Sequence, residues 1–403
     1  MMREIKLKNG TDVCIKRNFN TPRIALTLCF SINKSEKTAG QYLLMNRLLL
    51  KGTKKYSSEE LSAILDENAI DLYTEMKYDY LRFRFAALND DFELALSILS
   101  DIILNSTFEE FEKEKEKLKG ELLAELDSAK TRVSDLFTKT IYKGHYYGHS
   151  YTSILEEIDK TTPDDIKNSY LEILNNSKKI LTLVGDIEDE KAISALNNYL
   201  AAVPESKVCE NDIPSPEKVK YDYAEIIKDD AQQAQIIQGW QVPSIDSEDY
   251  TKLMLLNVIL GASGLSSRLF LELREKKGLA YTVRTSYETH SQAAVFSIYI
   301  GTEPSNIETS IKGFKEEIEK IKNIPVSEEE LHNAKNNIIG RQQFVTETNS
   351  QQANLMSYYA ISGKPFDYQN QVIENIKKIS ADELLECAKK YFTEDFVLAV
   401  IKP

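Results

Sequence analysis

The side chains best suited to metal or nucleophile chemistry are scarce in this chain: four histidines (His145, His149, His290, His332) and four cysteines (Cys14, Cys29, Cys209, Cys387). Zinc asks for imidazoles, thiolates or carboxylates at short, regular spacing. The cysteines are far apart and form no C-x-x-C pair, so they read as reduced and mostly buried, with neither a zinc knuckle nor a disulfide framework. The one close histidine pair, His145-Tyr-Tyr-Gly-His149, contains a glycine and falls in a turn instead of on one helical face, which argues against a metal site there. No G-x-S-x-G elbow, Walker loop or GxGxxG is present, and the short turn Gly261-Ala-Ser-Gly264 before a helix is weak evidence for phosphate.

The elements that would carry any site belong to a chain of 403 residues, 42% of them apolar, long enough for two or three domains with their own cores. Its 63 acidic and 50 basic side chains leave a net charge of −13. The basic runs, Lys113 to Lys119 and Lys276-Lys277, are broken by glutamates or apolar residues, so nucleic acid is excluded as a partner. No apolar run approaches the ~20 residues of a membrane span, and residues 1 to 10 alternate like a strand ending in an Asn-Gly turn instead of opening a signal peptide. The expectation is a soluble cytoplasmic protein.

Two internal repeats organise the chain. Thr162-Pro-Asp-Asp165 opens a helix with Ile166, Tyr170, Ile173 and Leu174 on one face and leads to the strand Ile180 to Val184. Ser380-Ala-Asp-Glu383 opens a second, with Leu384, Ala388, Tyr391 and Phe392, leading to Phe396 to Ile401. Each starts with an N-cap hydroxyl and an acid three residues on. A further block, Thr107 to Glu110 with Phe111, Leu118 and Gly120, aligns at an offset of 220 with Ser327 to Glu330, Leu331, Ile338 and Gly340. The duplication predicts an N-terminal domain over 1–205, a Pro- and charge-rich linker over 206–221, and a C-terminal domain over 222–403. Alternating strands (Ile24 to Ile32, Leu81 to Ala87, Ala234 to Trp240, Ala294 to Ile300) interleave with amphipathic helices such as Ser58 to Asn68, which predicts an α+β fold. Each half would be an antiparallel-rich sheet packed with helices, the two arranged as a clam shell.

The segment Leu260 to Tyr281 resembles the C-terminal-domain signature of the pitrilysin/insulinase family of inverted-motif zinc peptidases, which includes the mitochondrial processing peptidases and bacterial two-subunit peptidases. The resemblance continues through Gly40, Lys51-Gly52-Thr53, the Phe111 to Leu126 helix, His145-Tyr-Tyr-Gly148 and Leu183-Val184-Gly185-Asp186. Active members carry His-x-x-Glu-His between that glycine and Lys-Gly-Thr, two zinc ligands and a general base. Here the three positions are Leu43, Asn46 and Arg47. Leucine coordinates nothing, asparagine accepts no proton at neutral pH, and arginine puts a permanent positive charge where a dication should sit. The family's third ligand, with a glutamate seven residues before it, has a counterpart in Glu121 with Glu114, and a weaker one in Glu125. These glutamates otherwise read as charges on a solvated helix among Lys113, Lys115 and Lys117, or as a partner for Arg47 in the vacated pocket.

Arg274 and Tyr281 match the arginine and tyrosine that the family's C-terminal half points toward the partner domain's zinc. Leu269, Phe270 and Leu273 would pack one helix face with Arg274 on another, Gly278 would end the helix, and Tyr281 would start the next segment. The resemblance implies that guanidinium and phenol hold the substrate's carbonyl and stabilise the oxyanion. It therefore implies a non-catalytic subunit of a heterodimeric zinc metallopeptidase, with no cofactor of its own, peptide as substrate, and zinc on a paralogous partner bearing the intact motif. Two other readings stand beside it: a peptide- or protein-binding scaffold of the same fold without proteolysis, and a peptidase active alone through an altered metal site.

Overall fold

A computed structural model describes residues 2–207 and 211–403. Cys209 and part of the 206–221 segment lie outside the described residues; Cys14, Cys29 and Cys387 are free and buried.

The described residues form two sheets. The first is built from β1 (Met2–Lys6), β2 (Asp12–Arg17), β3 (Arg23–Ser31), β4 (Asp71–Met76), β5 (Tyr80–Leu88) and β6 (Lys179–Gly185), in the order β1-β2-β6-β3-β5-β4. The second comprises β7 (Asp222–Ile227), β8 (Ala234–Val242), β9 (Ala280–Thr289), β10 (Ala294–Thr302) and β11 (Val397–Lys402), in the order β7-β11-β8-β10-β9. Only β2–β6 and β7–β11 run parallel; every other pair is antiparallel. Dropping β1 makes the two orders identical, including the place of the parallel pair. The α+β duplication expected from the repeats is therefore present as topology.

Local sequence explains the elements. The central strand β3 is buried on both faces from Ile24 to Phe30, as its apolar run requires. The helices Pro163–Asn176 and Ala381–Tyr391 both start with capping boxes, Thr162 with Asp165 and Ser380 with Glu383. Each buries the stripe its spacing predicts, except that Tyr391 remains half-buried.

The compact units are discontinuous in sequence. One contains residues 1–120, 154–213 and 343–368; the other contains 121–153, 214–342 and 369–403. The segments 121–153 and 343–368 thus each pack with the half opposite to the one that a simple seam at 206–221 assigns them. In the first unit the helix Asn349–Ile361 lies on β3 and β6. There Ala353, Met356 and Ala360 join Cys14, Cys29 and Ile180 in one apolar cluster, while Thr182 Oγ1 donates to the Ala353 carbonyl at 2.8 Å. In the second unit the helix Ala129–Ile141 takes the corresponding place on β8 and β11. Gly239 makes room for it: a Cβ there would lie 2.5 Å from the Phe137 ring.

Candidate functional site

The helix Gln41–Leu48 carries the three positions where the resemblance expects zinc chemistry. Glu36 holds its first turn, accepting from the Gly40 and Tyr42 amides at 3.0 and 2.7 Å. Gly40 sits at φ +85, and a Cβ there would lie 2.5 Å from Ile154. Leu43, Asn46 and Arg47 are half-buried. Thr74 of β4 donates to the Asn46 carbonyl at 3.3 Å, so the helix lies against the edge strand of its sheet. The Asn46 side-chain Oδ1 is buried without a hydrogen-bond partner.

Arg47 is committed to a carboxylate. Its Nε lies 3.1 Å from Glu114 Oε2, and Lys51 Nζ lies 2.9 Å from Oε1 of the same group. Glu114 is only 2% exposed. Burial disfavours its charge, but the hydrogen bonds and charges of Lys51 and Arg47 outweigh that and hold the carboxyl below its ordinary range. A helix offering leucine, an amide and a guanidinium, beside a carboxylate already neutralised by two cations, does not fit zinc.

Glu121 and Glu125 are exposed, as a solvated helix face requires, whereas Glu114 is not. Its spacing carried the signal: Phe111, Glu114, Lys115, Leu118 and Leu122 stand at helical i, i+3, i+4, i+7 and i+11, and all five are buried. Arg47 and Lys51, four apart, supply the charge that lets a carboxylate sit in that stripe.

The second unit holds Arg274 and Tyr281. Both flanks of the glycine turn at 261–264 are π-helical, Val258–Ala262 and Phe270–Lys276, a rare geometry often found at functional sites. A Cβ on Gly261 would lie 2.4 Å from the Thr285 backbone nitrogen, so only glycine lets the turn pass β9 this closely. Leu269, Phe270 and Leu273 are buried as expected. The expectation that Arg274 lies on another face from Phe270 needs correction: the two are four residues apart, neighbours on a helix, and the guanidinium lies over the Phe270 ring, 4.8 Å from the centroid. Gly278, at φ +62, ends the turn, with the Leu279 amide donating back to the Leu273 carbonyl at 2.8 Å.

Tyr281 then occupies a bulge. Ala280 pairs with Thr302 and Thr282 with Gly301, leaving Tyr281 unmatched on β9. Such an extra residue re-aims its side chain out of the ladder. Tyr281 is 78% exposed, and its ring lies 5.1 Å from the Arg274 guanidinium. Among the described residues no carboxylate pairs with Arg274 and no group hydrogen-bonds the Tyr281 hydroxyl. The two side chains are thus adjacent and stacked, Tyr281 solvent-facing and Arg274 half-buried, with donors left unused.

The histidines do other work. His145 Nε2 lies 2.8 Å from the Pro214 carbonyl oxygen and its Nδ1 accepts from the Tyr147 amide at 3.1 Å, fixing the turn at 146–148. His290 packs on Tyr147, centroids 4.5 Å apart. His149 packs edge-on to Tyr146, and His332 lies 2.9 Å from the Asn336 amide. Among the described residues no three His, Cys, Asp or Glu side chains gather as a metal set.

A duplicated α+β fold, with an arginine–tyrosine pair in one half and a helix carrying leucine, asparagine and arginine at the expected metal positions in the other, defines a peptidase-like protein. The chain belongs to the insulinase family, peptidase family M16: residues 15–157 match that family, and residues 160–338 match the Peptidase M16 inactive domain. Similar proteins include an uncharacterized zinc protease, YmxG, of Bacillus subtilis, 24% identical over 100% of this chain and 98% of the relative. An uncharacterized zinc protease of Rickettsia felis is 27% identical over 99% and 97%. The non-peptidase homolog YmxG of Helicobacter pylori is 25% identical over 89% and 83%. Among solved structures, a protease from Helicobacter pylori superposes with a TM-score of 0.92 at 21% identity, covering both chains fully. A peptidase M16 inactive domain from Pseudomonas fluorescens gives 0.88 at 20% identity, covering 100% of this chain and 98% of that one. At these identities the two structures speak to fold alone.

Proposed function

We propose that this chain is the non-catalytic subunit of a heterodimeric zinc peptidase, holding peptide substrate and supplying Arg274 and Tyr281 to an active site whose zinc sits on a family partner with an intact His-x-x-Glu-His. The observation that carries this reading is a contrast between the two units. Where the metal helix should be, Arg47 and Lys51 neutralise Glu114; where the donor pair should be, a half-buried Arg274 stacks on an exposed Tyr281, and neither side chain has a polar partner among the described residues. A guanidinium and a phenol in that state offer hydrogen bonds to a peptide carbonyl and to the charge that develops on it. β4, the terminal strand of its sheet among the described residues, lies beside the degenerate helix and has no strand partner on its outer side, the arrangement that an extended peptide can join. No helix among the described residues is long and apolar enough to cross a membrane, and we place the complex in the cytoplasm.

The test is to mix the purified chain with a zinc-bearing relative and measure cleavage of an unfolded peptide. Activity that needs both chains, and falls in the R274A/Y281F variant, supports the reading; turnover unchanged by that variant overturns it. A scaffold without proteolysis is the second reading, favoured by the name of the Helicobacter relative as a non-peptidase homolog. It requires a complex that retains peptide and cleaves none.

A further inference from the structure

The second unit contains a cavity of about 350 Å³ that the donor pair does not use, opening over the face of β9 and β10 beneath the helix Ala129–Ile141. That volume is at the lower end of the range for small-ligand sites, which run from about 300 Å³ upward. Phe137, Ile141, Ile237 and Val295 supply apolar surface, and Ser286 and Ser297 put hydroxyls among them.

Charge is divided along its length. At one end Arg284 lies over the Tyr299 ring, 5.5 Å from the centroid; outside the lining, Lys130 approaches the same ring at 5.7 Å and adds positive charge nearby. Neither cation has a carboxylate partner among the described residues. Toward the other end stands Glu288, which accepts from Ser286 Oγ at 3.0 Å and has no cationic partner. Arg284 and Glu288 point to the same side of β9, four residues apart, so their backbones are separated by about 13 Å at the ~3.3 Å rise of a strand. They are too distant to neutralise one another. An anion is attracted to one end, a cation to the other, and an apolar group between.

We infer that this cavity binds a short free peptide of two or three residues, its terminal carboxylate at Arg284 and its ammonium toward Glu288. An extended tripeptide spans about 10 Å, which matches the spacing once the Arg284 and Glu288 side chains reach inward. The site is distinct from the Arg274–Tyr281 pair, and its occupancy is read on the full chain alone, whatever partner that pair serves.

The experiment is isothermal titration of the full chain with the tripeptide Ala-Leu-Ala in three forms: free, C-terminally amidated and N-acetylated. The free form is expected to bind, and each blocked form to bind at least about tenfold more weakly, the size of a lost charge-assisted contact. Arg284→Ala and Glu288→Gln should each reproduce the loss with the free peptide; far-UV circular dichroism checks that both fold, and the comparison of peptide forms needs no variant at all. Equal affinity for free and blocked forms, or no binding of the free form at millimolar concentration, overturns the assignment.

Discussion

Arg47 Nε lies 3.1 Å from Glu114 Oε2, an ion pair on the helix to which the resemblance assigns the family's zinc motif. Arg47 is 20% exposed at its side chain and Glu114 3%, and Lys51 shares the carboxylate. Removing one partner of a buried pair leaves an uncompensated charge. Arg47→Ala should therefore destabilise the chain by about 1–3 kcal/mol, below the full cost of a broken buried pair because Lys51 remains. Urea denaturation measures it. The R47A/E114A double variant should cost less than the sum of the single changes, since deleting the carboxylate removes the stranded charge.

The same pair governs metal affinity. Purified from zinc-containing medium, the natural chain should carry only substoichiometric zinc. The variant L43H/N46E/R47H removes the guanidinium and restores two imidazoles four apart on one helix, the spacing that puts both on one face. It should retain more zinc than the natural chain when metal content is measured by mass spectrometry. An equal content in both would show that the assigned register of Leu43 and Arg47 is wrong.

Arg274 and Tyr281 separate function from stability. Tyr281 is 78% exposed, and the half-buried Arg274 lies over the Phe270 and Tyr281 rings. Arg274→Ala and Tyr281→Phe should lower the unfolding free energy from urea denaturation by only about 1 kcal/mol or less, the worth of a cation–π contact at a partly exposed site. In a mixture with a zinc-bearing relative, loss of an oxyanion-type donor should lower kcat by about 10²–10³. A large fall in stability would instead make the pair structural.

Much of this arrangement was legible in residue spacing. The strand from Leu81 to Ala87 and the caps at Thr162 and Ser380 follow from local rules of period and donor type, whereas the assignment of Leu43, Asn46 and Arg47 to a degenerate zinc motif rests on the family resemblance. The choice of Glu114 over Glu121 was also legible, in its place on the Phe111–Leu118 stripe, but required weighing a glutamate as a buried residue. Two features had no local signal. A 3.6-residue period cannot distinguish the π turn at Phe270–Lys276 from an α turn, although the stacking of Arg274 on Phe270, four residues apart, is what ordinary helical spacing allows. The apolar face Ala353, Met356, Ala360 announces a helix packed on something, and nothing local says which sheet.

Acid sensitivity should centre on Asp249. Burial alone would raise its carboxyl, but Lys252, Lys390 and the Tyr391 hydroxyl donate to it at 2.7, 2.8 and 2.7 Å and hold it well below the usual carboxylate range. Its folded value is depressed, so its contribution is fully present above the unfolded value near ~3.9 and is lost as pH falls from there toward the folded value. Asp249→Asn should lower stability at pH 7 and flatten the acid limb below about pH 4. Thermal melts across pH measure both; an unchanged acid limb would assign the loss to other carboxylates.

The exchange of segments makes the strongest claim about folding. Residues 343–368 supply the cover for β3 and β6, with Ala353, Met356, Ala360 and Phe366 packed against Cys14, Ala25, Cys29, Ile180 and Val184. A fragment ending at residue 205 lacks that cover and leaves the face bare. Exposing large side chains costs about 1.5–3 kcal/mol each, a large share of the 5–15 kcal/mol that holds a domain together. The fragment 1–205 should therefore aggregate or bind a hydrophobic dye when expressed alone. Joining residues 343–368 to it through a flexible linker should restore a soluble, cooperatively melting unit. Met356→Asp in the joined segment should abolish that rescue, because it buries an unpaired charge against the sheet. A fragment 1–205 that melts cooperatively without the added helix would show that the cover is dispensable.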